Sequence, residues 1–178
     1  MMIAARIALI LVLLSTAAFG QSPDATAQLI INHEKFKAAQ AFLEADYDRY
    51  VKEIIELTEI EAPPFKEEKR AKHYLEMLRQ HRLTNVELDA EGNAMGIRKG
   101  TGNGPLIAIA ANLDTVFPAG TDVKVKRNGT VLSAPGIGDD TRSLAALLAI
   151  IRAMDAANIR TVNDILFIGN VGVNGRAF

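Results

Sequence analysis

The chain has 178 residues, of which 49% are hydrophobic and 23% charged, so it can bury a core and lies outside the composition range of disordered chains. Its 20 basic and 21 acidic side chains give a net charge of -1, which removes the electrostatic reason to expect nucleic acid as a partner. The absence of cysteine excludes disulfides, thiolate metal sites and a cysteine nucleophile. A metal ion would have to be held by His, Asp, Glu or Asn.

Residues 1–20 have the pattern of a secretory signal peptide. Arg6 precedes an apolar run over residues 7–14, and small residues follow as far as Gly20. The apolar run is shorter than the roughly 20 residues that a membrane span needs. We therefore expect cleavage after Gly20, a mature domain over residues 21–178, and a secreted or periplasmic protein with no membrane contact after cleavage.

The first part of the mature chain is predicted to be helical. Apolar residues between 36 and 58 recur at intervals of three and four, which predicts one or two amphipathic helices. Pro63 and Pro64 break this pattern because proline cannot continue a helix. A further helix is predicted from about Lys66, with an apolar face that ends near Leu83.

Short extended segments follow, over residues 86–89, 93–98 and 106–111. The last of these is apolar at every position, which is typical of a central parallel strand covered on both faces. The stretch "VKVKRNGTVLSAPG" alternates around Asn128 and Gly129, which predicts a hairpin with a type I′ turn.

The C-terminal part combines one helix with one strand. After Asp140 the spacing predicts a helix with one apolar face, formed by Leu144, Leu147, Leu148, Ile151 and Met154. Residues 165–168 read as another buried strand. Strands that alternate with helices predict a three-layer α/β domain.

Acidic and polar residues follow these predicted strands, where open α/β sheets bind their ligands. Asp114 comes directly after the strand over residues 106–111. Asp139 and Asp140 lie in "APGIGDDTRSLAALL", and "GNVGVNG" follows the strand over residues 165–168. An alternative reading of the acidic pair is structural, since Asp140 or Thr141 can cap the following helix.

The order of five motifs, "EAPPFKEEKRA", "DAEGNAMGIRKG", "NLDTVFP", "APGIGDD" and "FIGNVG", resembles the co-catalytic di-zinc peptidases. That family includes glutamate carboxypeptidase, aminoacylase, peptidase T and acetylornithine deacetylase. The resemblance implies a three-layer sandwich with a mixed, mostly parallel sheet, the phosphorylase/hydrolase-like zinc peptidase core. It also implies hydrolysis of a peptide or N-acyl amino acid by water that two zinc ions activate.

The resemblance assigns roles to particular residues and also shows departures. In the family, a His-x-Asp-Thr motif supplies a zinc ligand and the carboxylate that orients it, and Asp114 matches that carboxylate. Asp139 matches the carboxylate that bridges both zinc ions. Asn112 replaces the ligand histidine, while Val173 and Asn174 replace the glutamates that act as general base and second-metal ligand. These losses predict weak zinc binding and no hydrolysis.

The sequence ends at Phe178, before the dimerisation and lid domain and the C-terminal part that the family carries. The expected product is therefore a truncated N-terminal part of an exported zinc peptidase, without the family's dimer domain. Two other readings stay open at this point. One alternative is a non-catalytic binding domain with the same fold. The other is a truncated or frameshifted product without function.

Overall fold

The computed structural model describes residues 23–172, so the predicted signal peptide and the positions Val173 and Asn174 lie outside the described residues. The helices are α1 (Pro23–Asn32), α2 (Glu34–Ala45), α3 (Tyr47–Thr58), α4 (Glu68–Arg79) and α5 (Arg142–Ala156). The strands are β1 (Thr84–Leu88), β2 (Ala94–Arg98), β3 (Ile107–Asn112), β4 (Lys126–Asn128), β5 (Val131–Ser133) and β6 (Ile165–Asn170). Within residues 23–172, every helix is too short or too polar to cross a bilayer.

The predicted N-terminal helical pattern resolves into two helices, α2 and α3, which meet at Asp46. The predicted helix after the two prolines is also present, but α4 begins at Glu68 and ends at Arg79, inside the predicted limits. The residues just after α4 turn tightly instead, because the N–H groups of Gln80 and His81 bond to carbonyls three residues back. The prolines therefore separate α3 from α4 as predicted.

A mixed four-stranded sheet has the order β1-β2-β6-β3. β6 pairs in parallel with β3 and antiparallel with β2, and β1 pairs antiparallel with β2. The α/β class and the mixed sheet that the sequence predicted are confirmed. Parallel pairing accounts for only one of the sheet's three strand pairs within residues 23–172, so it does not predominate there.

β3 was predicted to be a central strand covered on both faces, and this was wrong for the described part of the chain. β3 pairs only with β6 there and forms the edge of the sheet. Its outward positions, Ala108 and Ala110, are exposed, whereas Ala111 is buried. Alanine is small enough to stand on either side of a sheet, so a continuous apolar run does not distinguish an edge strand from a central one.

The core lies on one face of the sheet, where Phe167 and Ala94 pack against side chains of α3, α4 and α5. Tyr74 of α4 is fully buried there, and its hydroxyl donates to the Leu144 carbonyl of α5 at 3.2 Å. The other face, which we call the open face, is half-buried or exposed and consists of Met95, Ile97, Ala108, Ala110, Leu166 and Ile168. The second helical layer of the predicted sandwich does not lie within residues 23–172.

The predicted hairpin is present as β4 and β5, in which Asn128 pairs with Val131. Its turn differs from the predicted type I′, which needs positive φ at both central residues. Gly129 has a φ of 60°, but Thr130 is not among the residues with positive φ. Positive φ at the first central residue alone is the pattern of a type II′ turn, which accepts glycine at that position.

A buried ion cluster joins α5 to the N-terminal helices. The Arg152 guanidinium donates to Asp46 Oδ2 at 2.6 Å and to Glu53 Oε1 at 2.9 Å. Arg49 also donates to Glu53 Oε1 at 2.9 Å. The side chains of Arg152 and Glu53 are only 6% and 7% exposed, so solvent screens this pair weakly.

His81 follows α4 and is half-buried. Burial, together with the positive charges of Arg152 and Arg49, lowers the pKa of its imidazole to about 4, despite the opposing effect of the Asp155 and Asp46 carboxylates. Because the folded-state pKa is lower than the unfolded one, the unfolded chain binds more protons between pH 6.5 and pH 4. The contribution to stability is therefore present above pH 6.5 and is lost as the pH falls towards 4.

We expect acidification from neutral pH to about pH 4.5 to destabilise the wild-type chain by about 2 kcal/mol more than the His81→Gln variant, after allowance for partial solvent screening. Urea unfolding of both proteins over this range measures the difference. His33→Gln, which removes an exposed ring, is the control. Parallel pH profiles for His81→Gln and wild type would contradict the assignment.

Candidate active site

β3 and β6 end side by side because they are parallel neighbours in register. Asn112 at the end of β3 pairs with Asn170 at the end of β6, and Leu113 N–H donates to the Asn170 carbonyl at 2.7 Å. The loop after β3 therefore begins at the same sheet edge as the segment after β6. This is the edge where an open α/β sheet binds its ligands.

The loop with Asp139 and Asp140 reaches this edge from the start of α5. The chain turns sharply over Ile137–Thr141, where the backbone angles of both aspartates are non-helical. Asp140 Oδ2 accepts a hydrogen bond from Asn112 N–H at 3.0 Å. The structure thus brings together the ends of two segments that the sequence analysis identified separately.

The alternative reading of the acidic pair, helix capping, does not describe the observed contacts. Thr141 occupies the cap position of α5, but its side chain makes no capping bond to the helix. Its hydroxyl lies 2.7 Å from Thr58 Oγ1 and donates to the Gly136 carbonyl at 3.0 Å. Thr141 therefore ties α5 to α3 and to the turn, while Asp140 binds the β3 end.

Gly136 allows the two loops to touch. Its φ is 78°, a conformation that residues with a side chain rarely adopt. A Cβ atom on Gly136 would lie 2.6 Å from Thr115 Cγ2, which is closer than nonbonded carbons approach. Glycine is therefore required for contact between the turn and the loop after β3.

Asp114 lies beneath the site and is fully buried. It faces Arg70 of α4, which is also fully buried. Burial lowers the pKa of Arg70 to about 10 despite the opposing effect of the negative charges of Asp114 and Glu67. Arg70 donates to the Leu113 carbonyl at 2.6 Å and, through Nε, to the Ile60 carbonyl at 3.0 Å. The carboxylate at position 114 therefore takes part in a charged support under the loop.

Arg70 was not among the predicted site residues, although the sequence contains a signal for it. Arg70, Tyr74 and Leu78 recur at intervals of four, so Arg70 lies on the apolar stripe of α4. An arginine in such a stripe needs a buried acidic or carbonyl partner. Asp114 was available as that partner.

The side chains at the strand ends do not form a metal site within the described residues. Residues 23–172 contain no group of three or more His, Asp or Glu side chains placed to hold a metal ion. Asp139 is exposed, Asp140 is engaged with Asn112 N–H, and Asn112 offers only an amide. The donor set in the described part of the chain therefore does not fit the dinuclear metal centre that the resemblance implies.

The histidines lie elsewhere. His33 accepts a hydrogen bond from Lys35 N–H at the start of α2, and His73 lies 2.6 Å from Glu56. These two rings are thus used in local contacts of the N-terminal helices and are not at the strand ends.

A cavity of about 610 Å³, which we call the β6 cavity, adjoins the end of β6. Its lining includes Glu61, Phe65, Glu67, Asp89 and Val171. Glu67 Oε1 accepts hydrogen bonds from Phe65 N–H at 2.8 Å and from Gly172 N–H at 3.2 Å. The cavity is large enough to take a small ligand beside the candidate site.

Comparison with known proteins gives the same family as the motifs. No family model matches the chain. A Pyrococcus abyssi protein described as a LysW-lysine/LysW-ornithine hydrolase is 32% identical over 133 residues, which are 75% of this chain and 36% of that protein.

Two solved structures share the fold. Aminopeptidase PepT from Bacillus cereus has a TM-score of 0.61 at 24% identity, over 74% of this chain and 39% of that one. The YXEP protein of Bacillus subtilis, a dinuclear metal-binding peptidase of the M20 family, has a TM-score of 0.51 at 18% identity, over 71% and 35%. The chain thus spans about a third of the length of the proteins that it matches. Over that part, the chain matches the Pyrococcus hydrolase in sequence and the two peptidases in fold, so the resemblance that its motifs indicate is confirmed.

Proposed function

We propose that this chain is part of an exported hydrolase of peptide or N-acyl amide bonds, and that the chain as it stands does not catalyse hydrolysis. The family supports the reaction class, and the pattern of residues 1–20 supports export to the periplasm or the medium. Zinc is the metal that the motifs suggest. The donor set at the strand ends supports the absence of catalysis.

One observation carries the proposal: Asn112 stands at the end of β3, beside the Asp140 carboxylate. A neutral amide oxygen holds zinc far less well than an imidazole nitrogen. Val173 replaces the expected general base, and a positioned base is worth about 100-fold to 10,000-fold in rate. The scaffold of the site is thus retained while its metal ligand and base are replaced.

We expect no turnover of dipeptides or N-acyl amino acids by the purified chain in the presence of zinc or cobalt. The triple variant Asn112→His/Val173→Glu/Asn174→Glu restores the family's residue types and is expected to bind zinc at least about tenfold more tightly than wild type. Calorimetric titration with zinc measures this. Asn128→His, which adds an exposed histidine to the hairpin, is the matched control and should not tighten binding.

Two results would overturn the proposal. The first is zinc-dependent turnover by the unmodified chain that Asp139→Ala abolishes. The second is equal zinc affinity in wild type and the triple variant, which would mean that residues 112, 173 and 174 do not converge on one site.

The β6 cavity favours a second candidate, a binding domain without catalysis. Its volume of about 610 Å³ and its mixed polar and apolar lining suit a dipeptide or N-acyl amino acid. Calorimetry with these compounds in the absence of metal distinguishes the candidates. Binding that Glu67→Gln weakens supports the binding domain. The absence of any heat of binding rules out the binding domain and favours the inactive part of a hydrolase.

A further inference from the structure

A smaller cavity, of about 160 Å³, lies at the opposite end of the sheet from the candidate active site. The charged part of its lining, which we call the basic pocket, consists of Arg82, Arg98, Lys99, Asp155 and Arg160. Four cations and a single carboxylate thus converge on one cavity, in a chain whose net charge is -1. Such a concentration of positive charge is unfavourable unless it is neutralised.

Arg98 is the most buried member, with a side chain only 8% exposed. Its Nη2 donates to Asp155 Oδ1 and to the Ile159 carbonyl, both at 2.9 Å. Its Nε and Nη1 are buried and have no hydrogen-bond acceptor among the described residues. Buried donors without acceptors are rare and destabilising. The guanidinium therefore has hydrogen-bonding capacity that the described part of the chain does not use.

Arg82 and Arg160 are exposed and form no ion pair within residues 23–172. Lys99 has a partner, Asp164, at 2.6 Å. The C-terminal end of α5 lies here too. The helix dipole gives that end the equivalent of about half a negative elementary charge, which attracts cations. Two unpaired arginines exceed that charge, so the helix end accounts for only part of the cluster.

We propose that the basic pocket binds a phosphate group, either as inorganic phosphate or as part of a small phosphomonoester. The planar fork of arginine matches phosphate oxygens, and a dianion balances the two unpaired arginines. The cavity has room for one tetrahedral oxyanion. α5 has 15 residues and separates the pocket from the Asp139–Asp140 turn by about 22 Å, so the two sites are independent.

The test titrates the full chain with millimolar inorganic phosphate at constant ionic strength, using calorimetry and thermal unfolding. We expect saturable binding and a rise in Tm for wild type. Arg82→Ala/Arg160→Ala, which removes two exposed side chains, should lose at least about tenfold in affinity. Arg79→Ala/Arg127→Ala removes the same charge from other exposed positions and should bind as wild type does.

Competition titrations with glycerol phosphate and with acetate identify the chemical group that the basic pocket recognises. Competition by glycerol phosphate supports a phosphomonoester ligand, and binding of inorganic phosphate alone supports the free ion. No saturable phosphate binding, equal weakening in both double variants, or acetate binding as tight as phosphate binding would overturn the proposal. The last two results would show non-specific attraction to positive charge.

Discussion

Replacing Arg70 by methionine is expected to lower the free energy of unfolding by about 3–5 kcal/mol. Arg70 is fully buried and donates hydrogen bonds to the carbonyls of Ile60 and Leu113. Its loss leaves the buried Asp114 carboxylate without the positive charge that faces it, as well as two carbonyls without their donor. Removing one member of a buried charged pair costs more than the pair contributes, because the other charge remains desolvated.

Urea unfolding of Arg70→Met against wild type measures this loss. Arg79→Ala, in the same helix, removes an exposed guanidinium that pairs with Glu76 and should cost less than about 1 kcal/mol. The double variant Arg70→Met/Asp114→Asn should recover part of the loss, because it removes the stranded charge. Arg70→Met as stable as Arg79→Ala would show that Arg70 does not support the loop.

Replacing Arg152 by methionine should destabilise the chain by a similar amount, about 3–5 kcal/mol. The Arg152 side chain is 6% exposed and bonds to two carboxylates, those of Asp46 and Glu53. Without it, two acidic groups face each other in the interface between α5 and the N-terminal helices. The repulsion between them adds to the free-energy cost of their desolvation.

Thermal or urea unfolding of Arg152→Met tests this second prediction. The triple variant Asp46→Asn/Glu53→Gln/Arg152→Met removes the charge of Arg152 and those of both its carboxylate partners, and it should regain much of the lost stability. Equal stability of the single and triple variants would show that lost packing, and not stranded charge, explains the effect of Arg152→Met.

Features that depend on neighbouring residues were predictable from the sequence. Helical spacing, the paired prolines and the Asn128-Gly129 hairpin each act within a few residues, so the structure has these elements close to their predicted places. The ordered motifs gave the family, because each combines a strand end with a loop of defined composition. The location of the candidate site, at the sheet edge where Asn112 meets the Asp139–Asp140 turn, was predictable from strand direction alone.

Features that depend on distant contacts were not predictable. The edge position of β3 depends on which strands lie beside it, and its alanines do not record that. The charge interaction between Arg70 and Asp114 involves residues that lie 44 positions apart in the numbered sequence, on a helix and a loop. The conformation of the Asp139–Asp140 turn depends on contacts with Thr58 and Asn112, which come from two distant parts of the chain.

The open face should affect how much of this chain accumulates in a cell. Met95, Ile97, Leu166 and Ile168 form an apolar surface that no helix within residues 23–172 covers. Chaperones and proteases continuously sort chains that expose surfaces of this kind. The steady-state abundance of the chain should therefore depend on whatever shields this face, so a polar substitution there could increase the amount of protein without any change at the strand ends.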